Sequence, residues 1–199
     1  ISVLSMFYGS IVAIAQDNIK RMLAYSSISH AGYLAIGLAA GNHDAVAGVI
    51  FYLAAYTFMN LGAFGIVSLL EGKDETNLSI NSYAGLGNRK PLLSALLTII
   101  MFSLAGIPPF AGFFGKYYIF IAAIKADLTW LAILGVLSSA ISVYFYLRIV
   151  VLMYFKSSEN EFAIESSRNS MLAIIFSVLL VILLGVFPGT FIDLITKFI

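Results

Sequence analysis

The sequence predicts an all-α protein: a polytopic transmembrane helix bundle of about six spans, one of them broken by proline and glycine. Of its 199 residues, 61% are hydrophobic and only 11% are charged, whereas soluble domains carry about 25% charged residues. The apolar stretches are long and continuous, unlike the ~10-residue alternating segments of transmembrane strands. The polar segments between them are too short to form a domain. We therefore expect a single transmembrane domain over residues 1–199.

The apolar stretches define the order of the spans along the chain. The predicted spans cover residues 1–15, 22–40, 46–70, 91–125, 130–155 and 171–195. A helix needs about 20 apolar residues to cross a bilayer core, so the first stretch is short. It begins inside an apolar run at Ile1, without a methionine, and we expect the chain to be a fragment of a longer protein.

The fourth span is too long to be one straight helix. Its roughly 35 residues would extend about 50 Å, but a bilayer core is about 30 Å thick. We expect it to break at Pro108 and Pro109, flanked by Gly106 and Gly112, because proline lacks a backbone donor and clashes with the preceding turn. Carbonyls freed at this depth need other partners. An interrupted hydrophobic segment of this kind indicates an ion or substrate site in a transporter.

Lys116 is the ionisable residue closest to this break. It precedes Lys125, at the far end of the helix, by about ten residues or roughly 15 Å. This depth is near the midplane of a ~30 Å core, where an ionisable side chain indicates function. The structural alternative is a lysine that snorkels to the interface, which its depth disfavours.

The second and third spans carry further polar residues that are candidates for proton transfer. Just before the second span, Lys20 is either a functional lysine or an interfacial anchor, and within the span His30 is either a functional or a packing residue. In the third, Tyr52, Tyr56 and Asn60 have i, i+4, i+8 spacing and form one polar stripe. These groups can relay protons through water or hydrogen-bond between helices, and both interpretations stay open.

The fifth span contains a third polar set, for which close helix packing is the favoured interpretation. Ser138 and Ser142 are one turn apart, as a packing face requires. The other members of this set are Ser139, Tyr144 and Tyr146.

The distribution of lysine and arginine predicts the orientation of the chain. The connections after the first, third and fifth spans carry most of these residues, and the positive-inside rule places them in the cytoplasm. The C-terminus is then predicted to lie outside. The residues concerned are Lys20, Arg21, Lys73, Arg89, Lys90, Lys156 and Arg168.

Composition also excludes several kinds of chemistry. Because cysteine is absent, disulfides, thiol catalysis and Cys-ligated iron–sulfur clusters are excluded on this chain. Two histidines are too few for a convincing metal site, and no Gly-rich phosphate loop is present. A net charge of +1 without a basic tract gives no indication of nucleic-acid binding.

Three of these motifs together resemble a known family. The run 17–33, the stripe of Tyr52, Tyr56 and Asn60, and the run 103–116 are similar to the antiporter-like membrane subunits of NADH:quinone oxidoreductase, respiratory complex I. The resemblance covers essentially the whole chain. It implies the C-terminal part of a fourteen-helix subunit, helices nine to fourteen, with the broken span as helix twelve of a second inverted repeat.

Two details favour the subunit N group within this family. The larger sister subunits resemble His-x3-His-x3-Lys in the third span, where this chain has Tyr52, Tyr56 and Asn60. One sister carries glutamate at the helix-twelve position, where this chain has Lys116. The resemblance implies that Lys116 belongs to a row of buried charges along the membrane midplane, with Lys20 as a further candidate.

The resemblance also implies partners and location. No cofactor is expected on this chain, since NADH, flavin, iron–sulfur clusters and quinone belong to other subunits or to the whole complex. The expected partners are other membrane subunits of complex I, the lipid bilayer and protons, in a bacterial inner membrane. Two alternatives stay open: a subunit of a cation/proton antiporter complex, and a structural spacer without its own proton path.

Overall fold

The computed structural model describes residues 1–71, 77–157 and 168–199. These residues form a bundle of α-helices with one 3-10 turn, Ile80–Tyr83, and no extended strand beyond a single bridge between Asn18 and Ser79. The helices are α1 Ser2–Ile14, α2 Ile19–Ala40, α3 His43–Leu70, α4 Leu86–Arg89, α5 Pro91–Ala105, α6 Ala111–Lys125, α7 Thr129–Phe155, α8 Arg168–Val186 and α9 Pro188–Thr196. The predicted all-α transmembrane bundle is confirmed.

Three of the described helices, α3, α7 and α8, are each long and apolar enough to cross a bilayer. Their lengths are 28, 27 and 19 residues.

Two asparagines cap the N-termini of α2 and α3. Asn18 accepts from the N–H of Arg21 at 3.1 Å, and Asn42 accepts from the N–H of Ala45 at 2.8 Å. Each cap satisfies a donor that the helix itself leaves free.

The fourth span divides into two half-helices of 15 residues each, as predicted. Helix α5 ends at Ala105, and Gly106 follows with φ +84°, a conformation that favours glycine. The bond between Pro108 and Pro109 is cis. Gly112 is not part of the break itself. It lies in the first turn of α6, and its N–H donates to Ser103 Oγ at 3.0 Å.

The sixth predicted span, residues 171–195, is not continuous. Helix α8 ends at Val186, and Pro188 begins α9. Proline can occupy the first position of a helix but cannot continue one without losing a hydrogen bond. The 19 residues of α8 already extend about 28 Å, close to a ~30 Å core. Helix α9 has no fully buried residue and packs Phe191, Ile192 and Ile195 against the bundle.

The described connections meet at two opposite ends of the bundle. At one, which we call the Asp17 end, Ile80 N–H donates to Asp17 O at 2.8 Å and Gly85 N–H to Leu152 O at 3.1 Å. This end joins the connections after the first and third spans to the C-terminal end of α7. At the other, the Asp44 end, Lys125 pairs with Asp44 at 2.6 Å. Lys73, counted above among the basic residues, lies outside the described residues.

Candidate functional site

Lys116 is held at the gap between the two half-helices. It lies in the second turn of α6 and is only 4% exposed. Its Nζ donates to the carbonyls of Leu104 at 3.0 Å and Ala105 at 3.3 Å. These carbonyls lack intrahelical partners because α5 ends here. The break therefore creates the acceptors that hold the lysine.

The described residues around the amine include no acid. Nζ makes its third hydrogen bond to Ser139 Oγ of α7, at 2.9 Å. Among the described residues, no carboxylate forms an ion pair with Lys116. The described acids stand at helix ends or in connections: Asp17, Asp44, Glu71, Asp127 and Asp193. A buried amine with neutral partners only is an expensive arrangement in a bilayer, so Lys116 remains the candidate site.

Tyr33 of α2 covers another side of the amine. Nζ lies 5.0 Å from the centroid of its ring, within the range of a cation–π contact. Gly106 also borders the amine, since a Cβ atom at this position would stand 3.1 Å from Nζ. The lysine head group is thus enclosed by carbonyls, a hydroxyl and an aromatic face.

His30 is the centre of a second cluster, formed by tyrosines. Its Nδ1 lies 2.5 Å from Tyr52 Oη of α3, and its Nε2 lies 3.0 Å from Tyr146 Oη of α7. The ring of Tyr56 stacks on His30 at 4.6 Å between centroids. A neutral imidazole has one donor and one acceptor nitrogen, so one tyrosine donates to the ring while the other accepts from it.

A row of buried hydroxyls joins these clusters to α1. Tyr33 Oη donates to Ser138 Oγ at 3.4 Å. Ser10 Oγ lies 3.3 Å from Ser138 Oγ and 3.0 Å from Ser29 Oγ. Ser29 Oγ in turn donates to the carbonyl of Met6 at 3.0 Å. The row connects α7, α1 and α2 and ends at a backbone carbonyl.

The stripe predicted in the third span divides between two places. Tyr52 and Tyr56 join the His30 cluster, but Asn60 donates to the carbonyl of Tyr56 at 3.2 Å. Asn60 lines a cavity of about 790 Å³ between α3 and α8, together with Ser177. The hydroxyl of Tyr56 is buried and has no hydrogen-bond partner among the described residues.

Lys20 lies apart from both clusters. It sits in the first turn of α2 at the Asp17 end and forms an ion pair with Glu71. Tyr83 is buried close by, and burial, followed by the charge of Glu71, raises the pKa of its hydroxyl. His30 is ten residues further along the same helix, or roughly 15 Å.

Three residues that contact Lys116 or His30 were not predicted as site residues from the sequence. Ser139 and Tyr146 belong to the set in the fifth span that was attributed to packing, yet they bind Lys116 and His30. Their i, i+7 spacing, two helical turns, is the signal that could have found them. Tyr33 follows His30 by three residues on the same helix. No group of side chains in the described parts of the chain could hold a metal ion.

A helix bundle with a broken span and a buried lysine at the break belongs to the class of polytopic membrane transport proteins. A family model identifies the particular group, since it matches residues 1–142. The chain belongs to the NADH:quinone oxidoreductase/Mrp antiporter transmembrane family.

The relatives agree with this assignment. The chain is 55% identical over 162 residues to "NADH-quinone oxidoreductase subunit N" of Trichlorobacter lovleyi, covering 81% of this chain and 33% of that protein. It is 47% identical over 193 residues to "NADH-quinone oxidoreductase subunit N 1" of Chloroherpeton thalassium, covering 97% of this chain and 40% of the relative. It therefore spans about a third to two fifths of their length. The resemblance to the subunit N group is confirmed.

A solved structure shares this fold. The fold matches a chain of respiratory complex I from Thermus thermophilus, solved with bound aureothin, with a TM-score of 0.82 and 32% identity. The match covers 96% of this chain and 43% of the other.

Proposed function

We propose that this chain is a proton-translocating membrane subunit of NADH:quinone oxidoreductase, and that Lys116 is its titrating site, coupled to quinone reduction elsewhere in the complex. The observation that carries the proposal is the position of Lys116, buried at the break of a spanning helix without an acidic partner among the described residues. The relatives named subunit N support the assignment to this enzyme.

The surroundings of Lys116 suit a group that gains and loses a proton. The carbonyls of Leu104 and Ala105 favour the protonated amine. Desolvation and the positive end of the α6 dipole favour the neutral amine. Because these influences oppose each other, we expect a small movement of α5 against α6 to change the charge of the Lys116 amine.

His30 and its tyrosines are the proposed relay beside Lys116. An imidazole held between two hydroxyls can take up a proton at one nitrogen while it releases one from the other. Tyr52 brings this relay close to α6, since a Cβ on Gly115 would contact its ring. The path then runs from α7 through α2 to α3, rather than along the stripe to Asn60.

Removal of the Tyr52 hydroxyl tests this relay. We expect Tyr52→Phe to slow proton transport by about tenfold, because a buried ring nitrogen of His30 loses its partner at a cost of about 1–3 kcal/mol. Proton transport is measured in membranes that contain the assembled complex. Tyr144→Phe is the matched control, since it makes the same change at a tyrosine of α7 that is 60% exposed. Equal transport by both variants would remove Tyr52 from the path.

The other parts of the enzyme follow from this proposal. NADH, flavin, iron–sulfur clusters and quinone would belong to other subunits, and this chain would contribute membrane helices that contact neighbouring membrane subunits and lipid. The chain would reside in a bacterial inner membrane. In this reading the ion pair of Lys20 and Glu71 is a further charged site at the Asp17 end.

The orientation in the membrane is a separate prediction. The positive-inside rule places the Asp17 end in the cytoplasm and the Asp44 end outside. Single cysteines at Asn77 and His43, introduced into a complex without other accessible cysteines, test it. We expect a membrane-impermeant thiol reagent to label the first only from the cytoplasmic side and the second only from outside. The reverse pattern would invert the orientation. The connection at 158–167, predicted to be cytoplasmic, lies outside the described residues.

A further inference from the structure

We propose that Tyr33 is a positioning residue that couples the charge of Lys116 to the His30 cluster. This inference rests on the proposed function. Tyr33 is almost fully buried, and its ring contacts both groups. Its centroid is 5.0 Å from Lys116 Nζ and 5.8 Å from the centroid of His30, at an interplanar angle of 85°.

The ring of Tyr33 responds to the charge state of the lysine. An aromatic face attracts a cation through its quadrupole, and the attraction disappears when the amine is neutral. Tyr33 therefore stabilises the protonated form of Lys116 in particular. The same ring stands edge-on to His30, so a change in its position alters the environment of the imidazole.

The hydroxyl of Tyr33 fixes the ring in this place. It donates to Ser138, which is followed in α7 by Ser139, a direct partner of Lys116. Ser138 is itself held by Ser10, and Ser10 by Ser29. Because the row ends at the backbone, it anchors the tyrosine instead of leading a proton away. Helix α7 thus holds the lysine and the tyrosine through adjacent serines.

The groups that face the site from the neighbouring helices are few. His30 and Tyr33 belong to α2, Tyr52 and Tyr56 to α3 and Tyr146 to α7, while α5 contributes only the carbonyls that bind the amine. No acid of the described residues pairs with Lys116. The pH dependence of transport therefore reports on this small set.

The decisive experiment compares the pH profiles of proton transport for Tyr33→Leu and Tyr33→Phe in the assembled complex. Leucine removes the aromatic face, so we expect the profile to move to lower pH by about one unit. Phenylalanine keeps the face but loses the hydrogen bond to Ser138, so we expect slower transport with a pH profile near that of the unchanged protein. Tyr144→Leu is the control, because Tyr144 is 60% exposed on α7. If the leucine variant fails to assemble, Tyr33→Met supplies the same comparison.

The anchor is tested by a double-mutant cycle with Ser138→Ala. We expect this change to slow transport more in the presence of Tyr33 than in Tyr33→Phe, because the hydrogen bond between Tyr33 and Ser138 is already absent from the latter. Ser94→Ala is the control, since the buried Ser94 hydroxyl has no partner among the described residues. Additive effects would overturn the anchor.

An unshifted profile for Tyr33→Leu, or equal shifts for leucine and phenylalanine, would overturn the role of the ring. This outcome is distinct from failure of the proposed function. The proposed function fails if Lys116→Ala transports protons normally. The coupling role fails if Lys116→Ala stops transport while Tyr33→Leu keeps an unchanged pH profile.

Discussion

Lys116→Arg is expected to impair proton pumping almost as severely as Lys116→Ala, with a loss of about tenfold or more. The reason is the difference between carrying a charge and exchanging a proton. A spacer or an electrostatic anchor needs only a positive charge at this position. A proton carrier needs a group that can become neutral, as a desolvated lysine can and an arginine effectively cannot.

The measurements are proton transport and quinone reductase activity in membranes with normal amounts of assembled complex. Lys125→Arg is the matched control, because it makes the same change at the exposed end of the same helix, where Lys125 pairs with Asp44. Near-normal pumping by Lys116→Arg would identify Lys116 as a fixed charge. The structural spacer would then be the better description of this chain, or the proton path would use other residues.

The second large effect is expected from Gly112→Ala. A Cβ atom at Gly112 would collide with the carbonyl of Ser103 and would lie 3.2 Å from Met59 Sδ. The carbonyl belongs to the backbone of α5, so the collision can be relieved only if the two half-helices move apart. Overpacking of this kind costs about 1–3 kcal/mol. We expect less assembled complex and a lower melting temperature.

Gly189→Ala is the control, because it introduces the same alanine without the collision. No atom lies within 4 Å of a Cβ at Gly189. Alanine also favours helix over glycine by up to about 1 kcal/mol, which works against the predicted loss at Gly112. Normal assembly of Gly112→Ala would contradict this close packing of α5 against α6.

The break in the fourth span could be predicted because its cause is local. Pro108 and Pro109 lack backbone donors, and the surrounding apolar stretch is too long for one crossing. The break at Pro188 has the same cause, but the apolar character of the chain continues past it and suggested one long span. Hydropathy alone does not mark the end of a helix.

The partners of the site residues could not be predicted, because they come from distant parts of the chain. His30 binds Tyr52, 22 residues away, and Tyr146, 116 residues away. Helical spacing describes the face on which a side chain lies but not which helix packs against that face. Lys116 illustrates both cases. Its nearness to the broken segment was readable from the sequence, whereas its contacts with Ser139 and Tyr33 depend on how α6 packs against α7 and α2.

Gly106 is subject to two independent requirements. Its φ of +84° is unfavourable for any residue with a Cβ, and that Cβ would stand 3.1 Å from Lys116 Nζ. A side chain at Gly106 therefore meets two obstacles: the backbone is strained, and the amine of Lys116 must shift by a few tenths of an ångström. The backbone and the lysine thus each restrict this position to glycine, although a change at Lys116 would leave the backbone of Gly106 unstrained.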